Sequence, residues 1–242
     1  CDQWRFFNRR LTREEAQSLF EEPQTPQTLN NDLRAAWHME EASGTRYDSI
    51  NSYHLTTEGS PDRVLGRQGY AANFVASNNE ELVLEYEGSS NWWSSDWSMS
   101  MWINLECNNG QDVWNITSDG NPRGEISYSM YAEEIYFIYG SSFQARLYAQ
   151  TPTQSFDGGD WHWIYWQYDA TANEIGVCVD NGPLKTRGQV GSLPIDVDKM
   201  KFGCDNSNED NCVIDAAHWW GKLLTQAERE YMYNKSVGRE LG

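Results

Sequence analysis

The chain has 242 residues, 39% hydrophobic and 22% charged, a composition that excludes a disordered polypeptide and fits one main domain. Its formal net charge of -18 repels nucleic-acid phosphates and anionic lipids, which argues against nucleic acid as a partner and against membrane insertion. No stretch approaches the roughly 18 apolar residues of a membrane-spanning helix. The 12 Trp, 13 Tyr and 8 Phe favour strands, because wide rings fit a pleated, half-buried surface.

The chain starts at Cys1, without Met or a secretory leader pattern, which reads as a processed or partial chain. A lipid-bearing Cys1 is a rival reading. Residues 1–20, CDQWRFFNRRLTREEAQSLF, echo residues 214–233, IDAAHWWGKLLTQAEREYMY. Without gaps, Asp2 meets Asp215, Phe6 and Phe7 meet Trp219 and Trp220, Leu11 and Thr12 meet Leu224 and Thr225, and Glu15 meets Glu228. Both copies carry Thr-x-x-Glu, the capping box that opens a helix. Such self-similarity predicts that residues 1–20 close a preceding similar domain. Residues 21–31, EEPQTPQTLNN, then read as an extended linker, and 32–242 as one complete copy.

Past the linker the pattern is strands and turns. Leu82, Leu84 and Tyr86 alternate with Glu81, Val83, Glu85 and Glu87, predicting a strand with a mostly acidic second face. Further strands are predicted over 98–105, 124–131, 134–139, 143–149, 161–168, 174–180, 198–203 and 211–220. Turn signals at 119–122, 157–160, 180–183 and 205–211 separate several of them. The single predicted helix is 226–235. Many short strands with regular turns predict an all-β chain: two antiparallel sheets packed as a jelly-roll sandwich, with a short C-terminal helix.

No nucleophile elbow, P-loop, HExxH or GxGxxG occurs, so the chain reads as a non-enzyme. Glu81, Glu85 and Glu87 have the one-face spacing of a glycosidase pair, but the plain reading is a solvated acidic face. His38 and His162 sit inside strand patterns beside Trp, where a structural role is expected. Of five cysteines, Cys204 and Cys212 flank one polar loop and could pair across it. Asn115–Thr117 and Asn234–Ser236 are glycosylation sequons.

The residues then resemble a family. LRAAWHMEEASGTRYD at 33–48, GYAANF at 69–74 and WSMSMW at 97–102 resemble the opening strands of laminin-G-like, concanavalin A-like jelly-roll domains of the pentraxin-like superfamily. DWHWIYWQYD at 160–169, VCVDNG at 177–182, KFG at 201–203, and Ile214-Asp215 with its helix resemble the later ones, in the family's order.

The resemblance implies an extracellular, cell-surface or virion-surface adhesion module, with a glycan or surface protein as partner. An assembly domain contacting neighbouring domains or protomers is the alternative, and a polysaccharide-degrading enzyme the third. It also implies calcium, a hard cation that takes oxygen ligands. Glu41, Asp48 and Asp215 form one candidate metal set, since related domains bring those segments together. The loop 205–211, with Asp205 and Glu209, forms another. Trp92, Trp93 and Tyr131 are the candidate ligand-binding rings, because loop aromatics can cover the apolar face of a sugar.

Overall fold

The computed structural model describes residues 26–67, 69–85, 91–106, 111–118, 121–129, 134–139, 145–150, 159–188, 197–203 and 211–235. In chain order the strands are β1 (Leu33–Trp37), β2 (Thr56–Glu58), β3 (Asp62–Leu65), β4 (Tyr70–Phe74), β5 (Glu81–Glu85), β6 (Trp97–Glu106), β7 (Gln111–Ser118) and β8 (Asn121–Ser129). They continue as β9 (Glu134–Tyr139), β10 (Ala145–Gln150), β11 (Trp161–Asp169), β12 (Glu174–Val179), β13 (Lys185–Gly188), β14 (Lys199–Gly203) and β15 (Asn211–Trp220). Helix α1 is Gln226–Lys235.

Among these residues one sheet runs β13-β12-β11-β6-β15-β4-β3, with β1 also on β15. The other runs β10-β9-β8-β7-β14-β5-β2. Every named pairing is antiparallel, for example Trp166 opposite Met99 and Phe202 opposite Leu82. The chain crosses between sheets repeatedly, and the result is the expected two-sheet β-sandwich with a short C-terminal helix.

Period-two alternation explains the layers. From β6, Trp97, Met99, Met101, Ile103 and Leu105 face the other sheet; from β11, so do Ile164, Trp166 and Tyr168. Leu82, Trp114, Ile126, Phe137 and Phe202 meet them from the second sheet. At the centre the Trp93 ring stacks on Trp219, centroids 5.3 Å apart and planes at 9°.

The first sheet is apolar on its outer face too. Trp102, Trp163, Tyr165, Cys178 and Trp220 form a second cluster beneath Leu29, Leu33, Leu224, Tyr231 and Met232. Burial pushes the Cys178 thiol up to about 12, so it is an inert packing group. Near this layer His218 is buried, stacks on Trp220, and has no partner at Nδ1 among the described residues. Burial first, then His38, pulls its imidazole down to about 3 against an opposing backbone contact from Ala216.

The capping box closes as expected. The Thr225 N–H donates to Glu228 Oε2 (2.8 Å) and the Glu228 N–H donates to Thr225 Oγ1 (3.3 Å). Glu228 also accepts from the Thr28 hydroxyl (2.8 Å) and from Lys222 Nζ (2.5 Å). Residues 26–31, expected to run extended, instead turn back on the sandwich: Leu29 is fully buried and its carbonyl accepts from Trp220 Nε1 (2.9 Å). The buried leucine outweighs the extending effect of Pro26. Residues 1–20, and so the echo's first copy, lie outside the described residues.

The signal at 180–183 forms a hairpin turn. Asp180 and Asn181 both have positive φ, 49° and 57°, and Gly182 N–H donates to the Val179 carbonyl (2.8 Å). The alternation read for Glu81–Glu87 holds only in part, because Val83 is buried along with Leu82 and Leu84. Val83 is flanked in the sheet by its register partners Lys201 of β14 and Thr56 of β2.

Candidate functional site

The sequence candidates separate in the structure. Asp48 is an organiser of its own loop: Oδ1 accepts from the Ala36 and Ile50 N–H groups, and Oδ2 from those of Asn51 and Tyr53, at 2.9–3.2 Å. Four backbone donors fill its lone pairs. Glu41 Oε1 accepts from the Tyr47 N–H at 2.8 Å, and Oε2 is buried. Asp215 is buried in β15 at its bulge, where Ala216 takes φ 47°. Among the described residues no three His, Cys, Asp or Glu side chains come together in a way that could hold a metal ion.

Trp93, expected on a loop, is wholly buried and stacked on Trp219, so it is a core residue with no face left for a sugar. It sits in a short 3-10 turn, Asn91–Ser94, that folds inward onto Trp97. The Trp92 side chain, Tyr131, Asp205, Glu209 and Cys204 lie outside the described residues. His162 is structural, bonding Asp180 at 2.6 Å while the same carboxylate accepts the Trp163 N–H. Glu81 and Glu85 pair with Lys201 (2.5 Å) and Lys199 (3.1 Å) of the neighbouring strand. Asn115 lies on β7 between β8 and β14, its Oδ1 buried, a poor position for a glycan attachment.

The exposed large apolar side chains among the described residues are Tyr47 (59%), Leu65 (80%) and Tyr70 (39%). Leu65 and Tyr70 are register partners at the end of the β3–β4 hairpin, and Arg63 sits two residues from Leu65 on the same side of the strand. Tyr70 also shares its face with Ala72 and Phe74, which pack in the core. The hairpin thus carries a core-facing stripe out to where nothing described covers it.

Two adjacent carboxylates hold this surface. Glu40 Oε1 accepts from the Tyr70 N–H (3.1 Å), as Glu41 does from Tyr47. Gly69 lies against the Glu40 carboxylate at φ +63°, and a Cβ there would collide with it, so the turn requires glycine. The Arg63 guanidinium lies 4.0 Å from the Tyr70 ring centroid and donates to the Glu40 carbonyl (3.3 Å). Tyr47 packs edge-on against His54, centroids 5.1 Å apart. Beneath, Arg46 is fully buried, donating to the Gly44 and Pro61 carbonyls. Burial pulls its guanidinium below the ordinary value, partly offset by Glu41.

The hairpin offers an amphipathic ring, an aliphatic side chain and a guanidinium, and a second exposed ring, Tyr47, is held from the residue next to Glu40: contact chemistry for a ligand. Sequence reading passed over all four residues. The available signal was DRVLGRQGY, a hairpin with Leu and Tyr where turn flanks are ordinarily polar.

No protein-family model and no curated protein matches this chain. Solved structures do. The binding domain of Paraclostridial Mosquitocidal Protein 1 superposes with a TM-score of 0.70 at 14% identity, covering 86% of this chain and 53% of that one. The binding domain of Botulinum Neurotoxin DC in complex with SialylT gives 0.67 at 11%, covering 86% and 52%. A Trypanosoma rangeli sialidase gives 0.65 at 12%, covering 89% and 34%. The chain therefore spans about half the length of the toxin binding domains or less of the sialidase. At these identities the likeness establishes a shared β-sandwich fold.

Proposed function

We propose that this chain is a non-catalytic glycan-binding module of a larger extracellular, cell-surface or virion-surface protein, binding through Tyr47, Leu65 and Tyr70. The observation that carries the reading is the exposure of two braced tyrosines in a molecule that buries at least eight other large aromatic side chains almost completely. An exposed ring packed against a neighbour, as Tyr47 is on His54 and Tyr70 under Arg63, loses little freedom when it covers a sugar face. The fold shared with a toxin domain in complex with SialylT supports a glycan as partner.

The laminin-G-like reading rests on the ordered sequence motifs. The tandem reading gains a physical basis from the jobs of the echoed residues: Leu224 is buried, Thr225 and Glu228 cap the helix, and Lys222 holds Glu228. At the same offset residues 1–20 offer Leu11, Thr12, Glu15 and the basic Arg9. Calcium stays part of the proposal through the oxygen-rich loop 205–211.

The test is a glycan array with and without calcium, on the wild type and a Tyr47→Ala, Tyr70→Ala double variant. Wild-type binding that the double variant loses is expected. Binding to no glycan under either condition, or equal binding by the variant, overturns the assignment.

A further inference from the structure

We infer that Arg63, stacked on Tyr70, makes this surface select acidic sugars: glycans that carry a carboxylate or sulfate beside a pyranose ring. The inference rests on the platform being a glycan site and adds the ligand's charge.

Three observations carry it. First, the guanidinium is placed before any ligand arrives. The Tyr70 ring lies 4.0 Å beneath its centre, and one hydrogen bond, to the Glu40 carbonyl, ties one of its nitrogens. A guanidinium has five N–H donors in a fixed fork. No other hydrogen bond or ion pair engages Arg63 among the described residues, so most of the fork remains for an incoming oxyanion. A planar fork matches a carboxylate through two parallel hydrogen bonds.

Second, the nearest acidic groups are either engaged by backbone N–H groups or on the other side of the strand. Glu40 and Glu41 each accept a backbone N–H, and Glu41 Oε2 is buried. Asp62 alternates to the opposite side of β3 from Arg63. On the side of Tyr70 and Leu65 the hairpin presents Arg63, exposed; Arg67 turns to the other face, 4.8 Å from the Trp102 ring centroid. Arg63 therefore gives that side of the hairpin a cation complementary to an anion.

Third, the neighbouring groups suit the rest of a sugar. Tyr70 and Leu65 are register partners and share the face that carries Arg63. One residue can therefore meet a ring's apolar side while the adjacent guanidinium meets its acidic substituent. A neutral sugar would leave the fork with hydroxyls only, which are weaker acceptors.

The test is isothermal titration of the whole chain with three matched oligosaccharides: neutral, hexuronate-containing and sulfated. The variants are Arg63→Gln, Arg63→Lys and, as a charge-matched control, Lys185→Gln on the opposite edge of the same sheet. The wild type is expected to bind at least one acidic oligosaccharide about ten-fold tighter than the neutral one, equivalent to about 1.4 kcal/mol. Arg63→Gln should erase that preference, bringing the acidic and neutral affinities together. Arg63→Lys should restore only part of it, and Lys185→Gln should match the wild type. The hexuronate and sulfated arms identify which anion is taken. Equal affinity for all three in the wild type, or an acidic preference that survives Arg63→Gln, overturns the inference and leaves the platform as a glycan site. Failure to bind any of the three, with folding verified by circular dichroism, overturns both.

Discussion

The first sheet carries aromatic residues beyond its core in two places, and they meet different ends. Under α1, Trp102, Trp163, Tyr165 and Trp220 are sealed by Leu224, Tyr231 and Met232. Their polar tips are satisfied as they go under: Tyr165 Oη accepts the Leu224 N–H and Trp220 Nε1 donates to the Leu29 carbonyl. At the β3–β4 hairpin, Tyr70 and Leu65 are left in water. Residue type does not distinguish the regions. What differs is that one is covered and the other is braced. Covered rings give stability; a ring fixed in place under a solvent-exposed guanidinium gives a surface that can hold a ligand.

That contrast can be broken experimentally, and the sealed regions should yield the largest effects. Trp219→Ala removes the ring stacked on Trp93 and should destabilise the fold by about 3–5 kcal/mol in urea or guanidinium unfolding. A loss below 1 kcal/mol would mean that the inner stack is not what holds the sheets together.

Glu228→Ala should rank next, at about 3 kcal/mol, because it strands Lys222 and opens the helix cap. Burial pushes this carboxyl up, but Lys222, the Thr225 N–H and the two threonine hydroxyls outweigh it, leaving it below its ordinary 4.5. A depressed carboxyl contributes stability that is present above the unfolded value and lost as pH falls through the folded one. The wild type should therefore weaken on acidification below about pH 4.5 more steeply than the Ala variant.

His218 acts in a neighbouring window. Its folded value near 3 lies below the ordinary 6.5, so the unfolded chain takes up a proton that the fold refuses. Stability should fall as pH drops from 6.5 towards 3, with a limiting slope of about 1.4 kcal/mol per pH unit. His218→Phe should flatten that limb, and an unchanged slope would show that His218 does not titrate there.

The smallest stability effect belongs to the platform. Tyr47→Ala and Tyr70→Ala should each shift stability by about 0.5 kcal/mol or less, while glycan binding weakens. A Tyr70→Ala change that unfolds the chain would place Tyr70 with the sealed rings.

The sandwich was legible because its central strands are short apolar runs set between turn signals, as in SMSMWINL over 98–105 and WHWIYWQY over 161–168. The capping box at Thr225 was legible because its chemistry is local. β7, β2, β3 and β13 escaped reading. β7 has an irregular register, shifted between Asp112 and Trp114, which breaks the alternation. β2, β3 and β13 are short edge strands, held by one neighbour each. The platform was not legible because exposure is decided by where the opposite sheet ends. Trp93 and Tyr70 both look like loop-flanking aromatics in sequence. One folds beneath Trp97, the other runs past the rim.

The seating of residues 26–32 on α1 has a mechanical consequence. Thr28 bonds Glu228, Lys222 bonds both, and the Gly221 N–H donates to the Asp32 carbonyl (2.8 Å). The strand leading into the fold and the helix closing it are thus clasped at one corner. Tension applied through whatever flanks residues 26 and 235 would load this clasp first, with the sheets outside the direct line of force. A module so joined behaves as a bead hung from its clasp.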